Sequence, residues 1–242
     1  MIKSIFIAML LIVSSAVMAD RPVLAVAEFT NDATGARWWR AGVGRELSGM
    51  LTNELAAINA FTLVERSQLD HVMREQNLGA SGRIRPDSAA QIGELTGAQY
   101  IVVGTVTDYS EDTKRSRGGV SIGGMSIGGR RSSIGVGGGQ TQAYIAVDLR
   151  VIDATTGEIT HVRTVEGRTQ DSAVSLRGSI GRLRGDLANE ENTPAGEAIR
   201  AALIEITDYL ECEMVLKSSA CRAKYQERET TRRERTRDAI RF

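Results

Sequence analysis

Two histidines, two cysteines and scattered carboxylates are the residues in this chain whose types could do chemistry. His71 falls in a helix-like stretch and His161 in a strand-like one. Neither has a cysteine, serine or second histidine at motif spacing, and an activated nucleophile needs its base within hydrogen-bond reach. Both therefore read as surface or structural residues. Asp32, Glu65 and Asp70 come nearest to a carboxylate cluster, and capping and solvation account for them. Gly42-Val43-Gly44 opens like a dinucleotide fingerprint, but Leu47 occupies the third glycine position. The motif also starts too far beyond the preceding strand to sit on its end. Cys212 and Cys221 flank a break between two helical patterns. Their spacing, with no histidine nearby, argues against a metal. In an oxidising compartment they either close a small disulfide loop or stay as free thiols. No catalytic residue, metal site or cofactor is expected, and the chain does not read as an enzyme.

The elements that must position these residues begin with an export signal. Lys3 precedes an apolar run over residues 5–13, and Ala16-Val17-Met18-Ala19 follows. This is a charged region, a short apolar core and a small-residue cleavage site. Cleavage is expected after Ala19, so residues 1–19 are a signal peptide and Asp20 starts the mature chain. No run approaches the roughly 20 apolar residues of a spanning helix. No cysteine lies at the cleavage site to take an N-terminal lipid. Net charge is zero, which gives no global attraction to nucleic acid or an anionic membrane. Aromatic residues are 5% of the chain, few for the girdles of a lipid-facing barrel.

Residues 22–29 read as a buried strand, 30–35 as a polar turn. Val43, Leu47, Met50, Leu51, Leu55 and Ile58 recur at helical spacing. Residues 61–65 read as a short strand. Ser67 and Asp70 form a weak capping box ahead of a helix with Leu69, Val72 and Met73 on one face. Asp87 is expected to cap a further helix carrying Ala89, Ile92 and Leu95, with Gly97 as its stop. Residues 100–109, 143–153 and 158–169 read as strands, the last two joined by a tight turn at 154–157. Residues 171–187 are ambiguous between a helix and a loose hairpin. Thr193-Pro194 is a strong helix start, followed by a stripe of Ala198, Ile199, Ala202, Leu203, Ile206, Tyr209 and Leu210. Residues 212–242 are a charged helix or tail. The fold class is α/β (α+β), a mixed sheet flanked by helices.

Two features stand out of this frame. Trp38 and Trp39 sit adjacent between Arg37 and Arg40. They either cover the edge of the core or form a contact or lining surface. Residues 117–139 are glycine-rich, yet Val120 and Ile122, Met125 and Ile127, and Ile134 and Val136 alternate with small residues. Alternation is a strand signal, and a long unstructured loop is uncommon in a compact domain. A glycine-rich β-hairpin insertion is expected there.

Three blocks together resemble the curli secretion channel family (CsgG/HfaB), a family of bacterial outer-membrane assembly proteins. They are L-A-V-A-E-F-T-N-D-A-T-G at 24–35; F-T-L-V-E-R-S-Q-L-D-H-V-M-R-E-Q at 61–76 with I-G-E-L-T-G-A-Q-Y-I-V-V-G-T-V at 92–106; and A-V-D-L-R-V-I-D-A-T-T-G-E-I at 146–159. The resemblance spans about residues 23–210. It implies a periplasmic α/β domain over 20–211 that assembles into a homo-oligomeric ring. Each protomer would lend hairpins to one transmembrane β-barrel at the outer membrane, the first at 117–139 and the second at 171–187. The implied partners are an exported fibre or adhesin subunit and accessory assembly proteins. By position, Trp38 and Trp39 would line the pore neck. The alternative is a soluble periplasmic interaction module that regulates an envelope machine, without a pore.

Overall fold

The computed structural model describes residues 21–115, 139–169 and 193–240. The expected signal peptide, the hairpin residues Val120, Ile122, Met125, Ile127, Ile134 and Val136, and the segment 171–187 lie outside these residues. Six strands form one sheet: β1 (Val23–Val26), β2 (Thr30–Asn31), β3 (Thr62–Leu63), β4 (Tyr100–Arg115), β5 (Gly139–Asp153) and β6 (Ile159–Arg168). Their order is β3-β1-β4-β5-β6, with β2 also paired to β4. Pairing is parallel among β1, β2, β3 and β4, and antiparallel from β4 through β6. The mixed sheet flanked by helices is thus the observed architecture.

Helices α1 (Val43–Ala57) and α3 (Pro194–Leu210) pack on the sheet and on each other. α1 buries Val43, Leu47, Met50, Leu51 and Leu55, the stripe that its sequence periodicity requires. α3 starts where Thr193 Oγ1 accepts the Gly196 amide at 3.1 Å, with Pro194 in the first turn. From β5, Ile145, Val147, Leu149 and Val151 point into the core beneath these helices, joined by Val102, Val106 and Val165. Alternation of side chains along each strand makes that possible. A bulge between Val106 and Asp108 resets the phase of β4, so that Tyr109, three residues after Val106, is again buried.

Gly42 and Gly44, the false fingerprint, have local duties. Gly42 ends the loop before α1 at φ 95°, a conformation that favours glycine. A Cβ on Gly44 would lie 2.2 Å from the Phe29 carbonyl oxygen. That close approach lets the Phe29 amide donate to Gly44 O at 3.1 Å.

Two expectations fail. No helix forms between Asp87 and Gly97, where the backbone runs in turns. Ile92 and Leu95 stay exposed there, at 64% and 47%. A short helix needs a buried face to hold it, and no element covers these side chains. Gly93 also adopts φ 93° inside the predicted span. The capping box fails too. Helix α2 (Leu69–Ala80) has Gln68 at its cap position with no side-chain bond. The Ser67 amide and hydroxyl both donate to Glu65 Oε1 instead. Of the expected face of α2, Met73 is exposed and Gln76 is the buried residue, its Nε2 donating to Gln91 O at 3.0 Å.

After α3 the chain makes a six-residue π-helical turn, Glu211–Leu216, and then helix α4 (Ser219–Ala239). Ser218 Oγ caps α4 by accepting the Cys221 amide at 3.2 Å.

Candidate functional site

The site is built at one end of the sheet. β4 and β5 stay in register to the pair Arg115 and Gly139, so their ends are neighbours and the segment 116–138 leaves and returns at one point. β6 ends beside them, with Arg168 opposite Tyr144 and Tyr144 opposite Ser110. Thr169 ties the next exit shut. Its amide donates to Ala143 O at 3.1 Å, its Oγ1 accepts the Ala143 amide at 2.7 Å, and Oγ1 lies 3.4 Å from Pro194 O. The segment 170–192 therefore also leaves and returns at one point, next to the first. From Glu111 opposite Ala143 to Arg115 opposite Gly139, β4 and β5 continue as a two-stranded ribbon past the end of β6. These strands reach further than the expected 100–109 and 143–153.

α3 is held hard against this end by Gly167. A Cβ there would lie 2.1 Å from Ala198 O and 2.9 Å from Ala202 Cβ. β6 and α3 approach at a distance that only glycine permits.

The two tryptophans divide their roles. Trp38 is buried, 6% exposed, and meets Tyr109 edge to face at 5.6 Å between ring centroids. Tyr109 lies on β4 on the way to the ribbon, and its hydroxyl is 3.2 Å from Glu111 Oε2. The loop between β2 and α1 is thereby fastened to the strand that feeds 116–138. Trp38 Nε1 is buried without a hydrogen-bond partner among the described residues. Trp39 packs on Trp38 at 5.6 Å and is half-buried. With Glu28, Thr30, Asn31 and Arg40 it lines an open groove of about 440 Å³ at the start of α1.

The residues singled out for chemistry remain apart. His71 is exposed on α2, its Nδ1 2.9 Å from Arg74 Nη2. His161 lies by the π-helical turn; burial pushes its pKa down, and Arg222 and Lys217 add to this against the opposing pull of Glu213. Burial raises the Glu65 carboxyl, but hydrogen bonds from Ser67 and Gln68 outweigh it and leave it below the ordinary value. No group of three His, Cys, Asp or Glu side chains could hold a metal ion among the described residues. Cys212 and Cys221 are joined as a disulfide, with Cα atoms 5.9 Å apart. No helix among the described residues is long and apolar enough to cross a membrane. What this arrangement can do is hold two closed chain excursions side by side and brace them with Tyr109, Trp38 and α3.

The model of the family described as "Curli production assembly/transport component CsgG" matches residues 7–240. No curated protein matches the chain. Among solved structures, a hypothetical protein of Chlamydia trachomatis is similar at 14% identity and TM-score 0.42, over 79% of this chain and 96% of that one. A PelC dodecamer from Paraburkholderia phytofirmans is similar at 14% identity and TM-score 0.33, over 78% and 89%. A lipoprotein of Neisseria meningitidis is similar at 12% identity and TM-score 0.32, over 61% and 82%.

Proposed function

This chain belongs to the CsgG family, and we propose that it is an exported component of the bacterial outer membrane that assembles into a ring and passes, or helps assemble, surface-fibre or adhesin subunits. In this reading the α/β body faces the periplasm. The hairpins at 117–139 and 171–187 are the two contributions of each protomer to a shared β-barrel. The half-buried Trp39 lines the neck, and Trp38 holds its loop. Accessory assembly proteins and the exported client are the partners; nucleic acid is not among them, and no catalytic step is involved.

The observation that carries the reading is the common exit: both excursions emerge at the same end of the sheet, one directly from the ladder ending at Arg115 and Gly139. A hairpin pointing out of a folded body is the form in which a protomer can donate strands to a barrel, and about 9–11 residues per tilted strand suffice to span. Membrane fractionation followed by electron microscopy of detergent-solubilised particles tests it. Rings bearing a barrel are expected; a soluble monomer confined to the periplasmic fraction would overturn it.

A second reading rests on composition. Glycine supplies little apolar area to drive insertion, and Arg177, Arg182 and Arg184 lie in the second excursion. Each would cost about 2–4 kcal/mol facing lipid at mid-depth. The alternative is a soluble periplasmic interaction module that regulates an envelope machine. Deleting 117–139 would then leave fractionation and particle size unchanged.

A further inference from the structure

α4 leaves the body through a hinge. After the π-helical turn, Lys217 takes the left-handed conformation at φ 49°, which costs a non-glycine residue strain and marks a point where the chain is forced to turn. Beyond it, α4 has one buried side chain, Tyr225, at 3% exposure. Tyr225 packs edge to face on Tyr209 of α3 at 5.3 Å. The Arg163 guanidinium lies 4.8 Å from the Tyr225 ring, and its Nη1 donates to Tyr225 O at 3.0 Å. Around this single anchor are ion pairs: Arg222 with Glu213, Arg228 with Glu205, and Arg235 with Glu166. Exposed pairs of this kind contribute little to holding a helix. The covalent link across the hinge is the Cys212–Cys221 disulfide. Cys212 is buried and Cys221 half-buried.

We propose that the Cys212–Cys221 disulfide is a redox-sensitive latch that keeps α4 seated on α3 and β6, and that its reduction frees α4 while the sheet, α1 and α3 stay folded. The reductant is a dithiol, in the cell that of a thiol–disulfide oxidoreductase. Its thiolate attacks Sγ of Cys221, the more accessible sulfur, and Cys212 leaves as thiolate and takes up a proton. The second thiol of the reductant then displaces Cys221. Two electrons and two protons have moved to the bridge, and the dithiol has become a disulfide. Opening would uncover Tyr209 and Arg163, an aromatic and cationic patch that α4 hides when latched. The core holds without the bridge, since most of its packing lies in the sheet, α1 and α3, with only Cys212, Met214 and Tyr225 added from beyond α3.

The test is hydrogen exchange of the full chain with and without dithiothreitol. Reduction should accelerate exchange across 219–239 by roughly 50- to 100-fold, the loop-entropy value for a closed loop of this length, and leave α1 and β5 unchanged. The double variant Cys212→Ala/Cys221→Ala should show the reduced pattern with no reductant. The native protein reduced in place remains informative even if that variant does not fold. Unchanged protection of α4 on reduction would overturn the latch. Equal acceleration throughout the domain would also overturn it, because the bridge would then be a global staple.

Discussion

Replacing Gly167 with alanine probes the contact on which the exit geometry depends. The added methyl would sit 2.1 Å from Ala198 O and 2.8 Å from Ala202 N, both backbone atoms of α3 that cannot rotate aside. The helix must retreat by roughly 1 Å, and a gap of that size forfeits a quarter to a half of each dispersion contact across it. α3 is the most heavily buried helix of the fold, with Ala198, Ile199, Ala202, Leu203, Ile206 and Leu210 all in the core. Overpacking of this kind costs about 1–3 kcal/mol, and a backbone clash belongs at the upper end. About 3 kcal/mol corresponds to a fall in Tm of roughly 6–12 °C for a domain of this size. Gly49→Ala is the control. Gly49 is exposed in the interior of α1 with nothing within 4 Å of its Cβ position, and the change should stabilise by about 0.5–1 kcal/mol. Calorimetric melting of the two variants reads the difference. A Gly167→Ala melting temperature within about 2 °C of the parent would refute the argument that glycine is required for the approach of β6 to α3.

The two tryptophans should separate under the same assay and under conductance measurement. Trp38→Ala removes a buried ring from Tyr109 and should cost about 3–5 kcal/mol, whereas Trp39→Ala should cost less and, in reconstituted particles, change conductance; equal destabilisation by both would contradict the division. Burial first, then the charge of Asp208, raises the Glu54 carboxyl above its ordinary 4.5. The folded state thus penalises the ionised form above that raised value, and the penalty disappears as pH falls below 4.5. Glu54→Gln should therefore raise Tm at pH 7 and have no effect near pH 3.5 in pH-resolved melting. The hydrogen bond from Arg232 outweighs desolvation and, with Arg233, brings Glu229 down to about 2. Its contribution is present in full above 4.5 and is lost as pH falls through about 2, so Glu229→Gln should loosen α4 in hydrogen exchange at neutral pH and make little difference at pH 2.

What the sequence made legible was what the core dictates. The α1 and α3 stripes announced themselves because Leu47, Leu51, Ile199 and Ile206 must face inward at helical spacing, and Thr193-Pro194 set the start of α3. The helix expected after Asp87 had the same spacing in Ala89, Ile92 and Leu95, but Ile92 and Leu95 find no surface to cover them, and periodicity does not reveal whether a partner surface exists. β4 and β5 outran their expected ends for the opposite reason. Residues 111–115 pair with 139–143 past the end of β6, and their sequence E-D-T-K-R carries no apolar alternation to betray them. The unequal burial of Trp38 and Trp39 was likewise invisible, since it depends on Tyr109, brought close by the bulge after Val106. The glycines of 42–44 looked like a ligand motif because a left-handed turn and a tight backbone contact select the same residue.

The ribbon itself bears on whether the chain acts alone. Past Ala143, β4 and β5 pair only with each other among the described residues. A two-stranded ribbon is marginal in water by itself, and its outer edges have no strand partner among the described residues, which leaves edge amides and carbonyls to be satisfied. A ribbon that leads away from the core in this way gains nothing from the body it leaves. Its edges are satisfied if neighbouring copies bring equivalent ribbons alongside and close the circle, because a closed barrel leaves no edge. The second excursion leaves beside the first, between Thr169 and Pro194, so in the proposed ring the same chain's next contribution would start next to the ribbon rather than across the sheet. In the proposed ring the weak apolar drive of a glycine-rich segment would be offset by pairing, since each closure would add ladder hydrogen bonds that a lone protomer lacks. If the chain inserts as proposed, insertion follows assembly, and a protomer kept monomeric should stay in the soluble fraction.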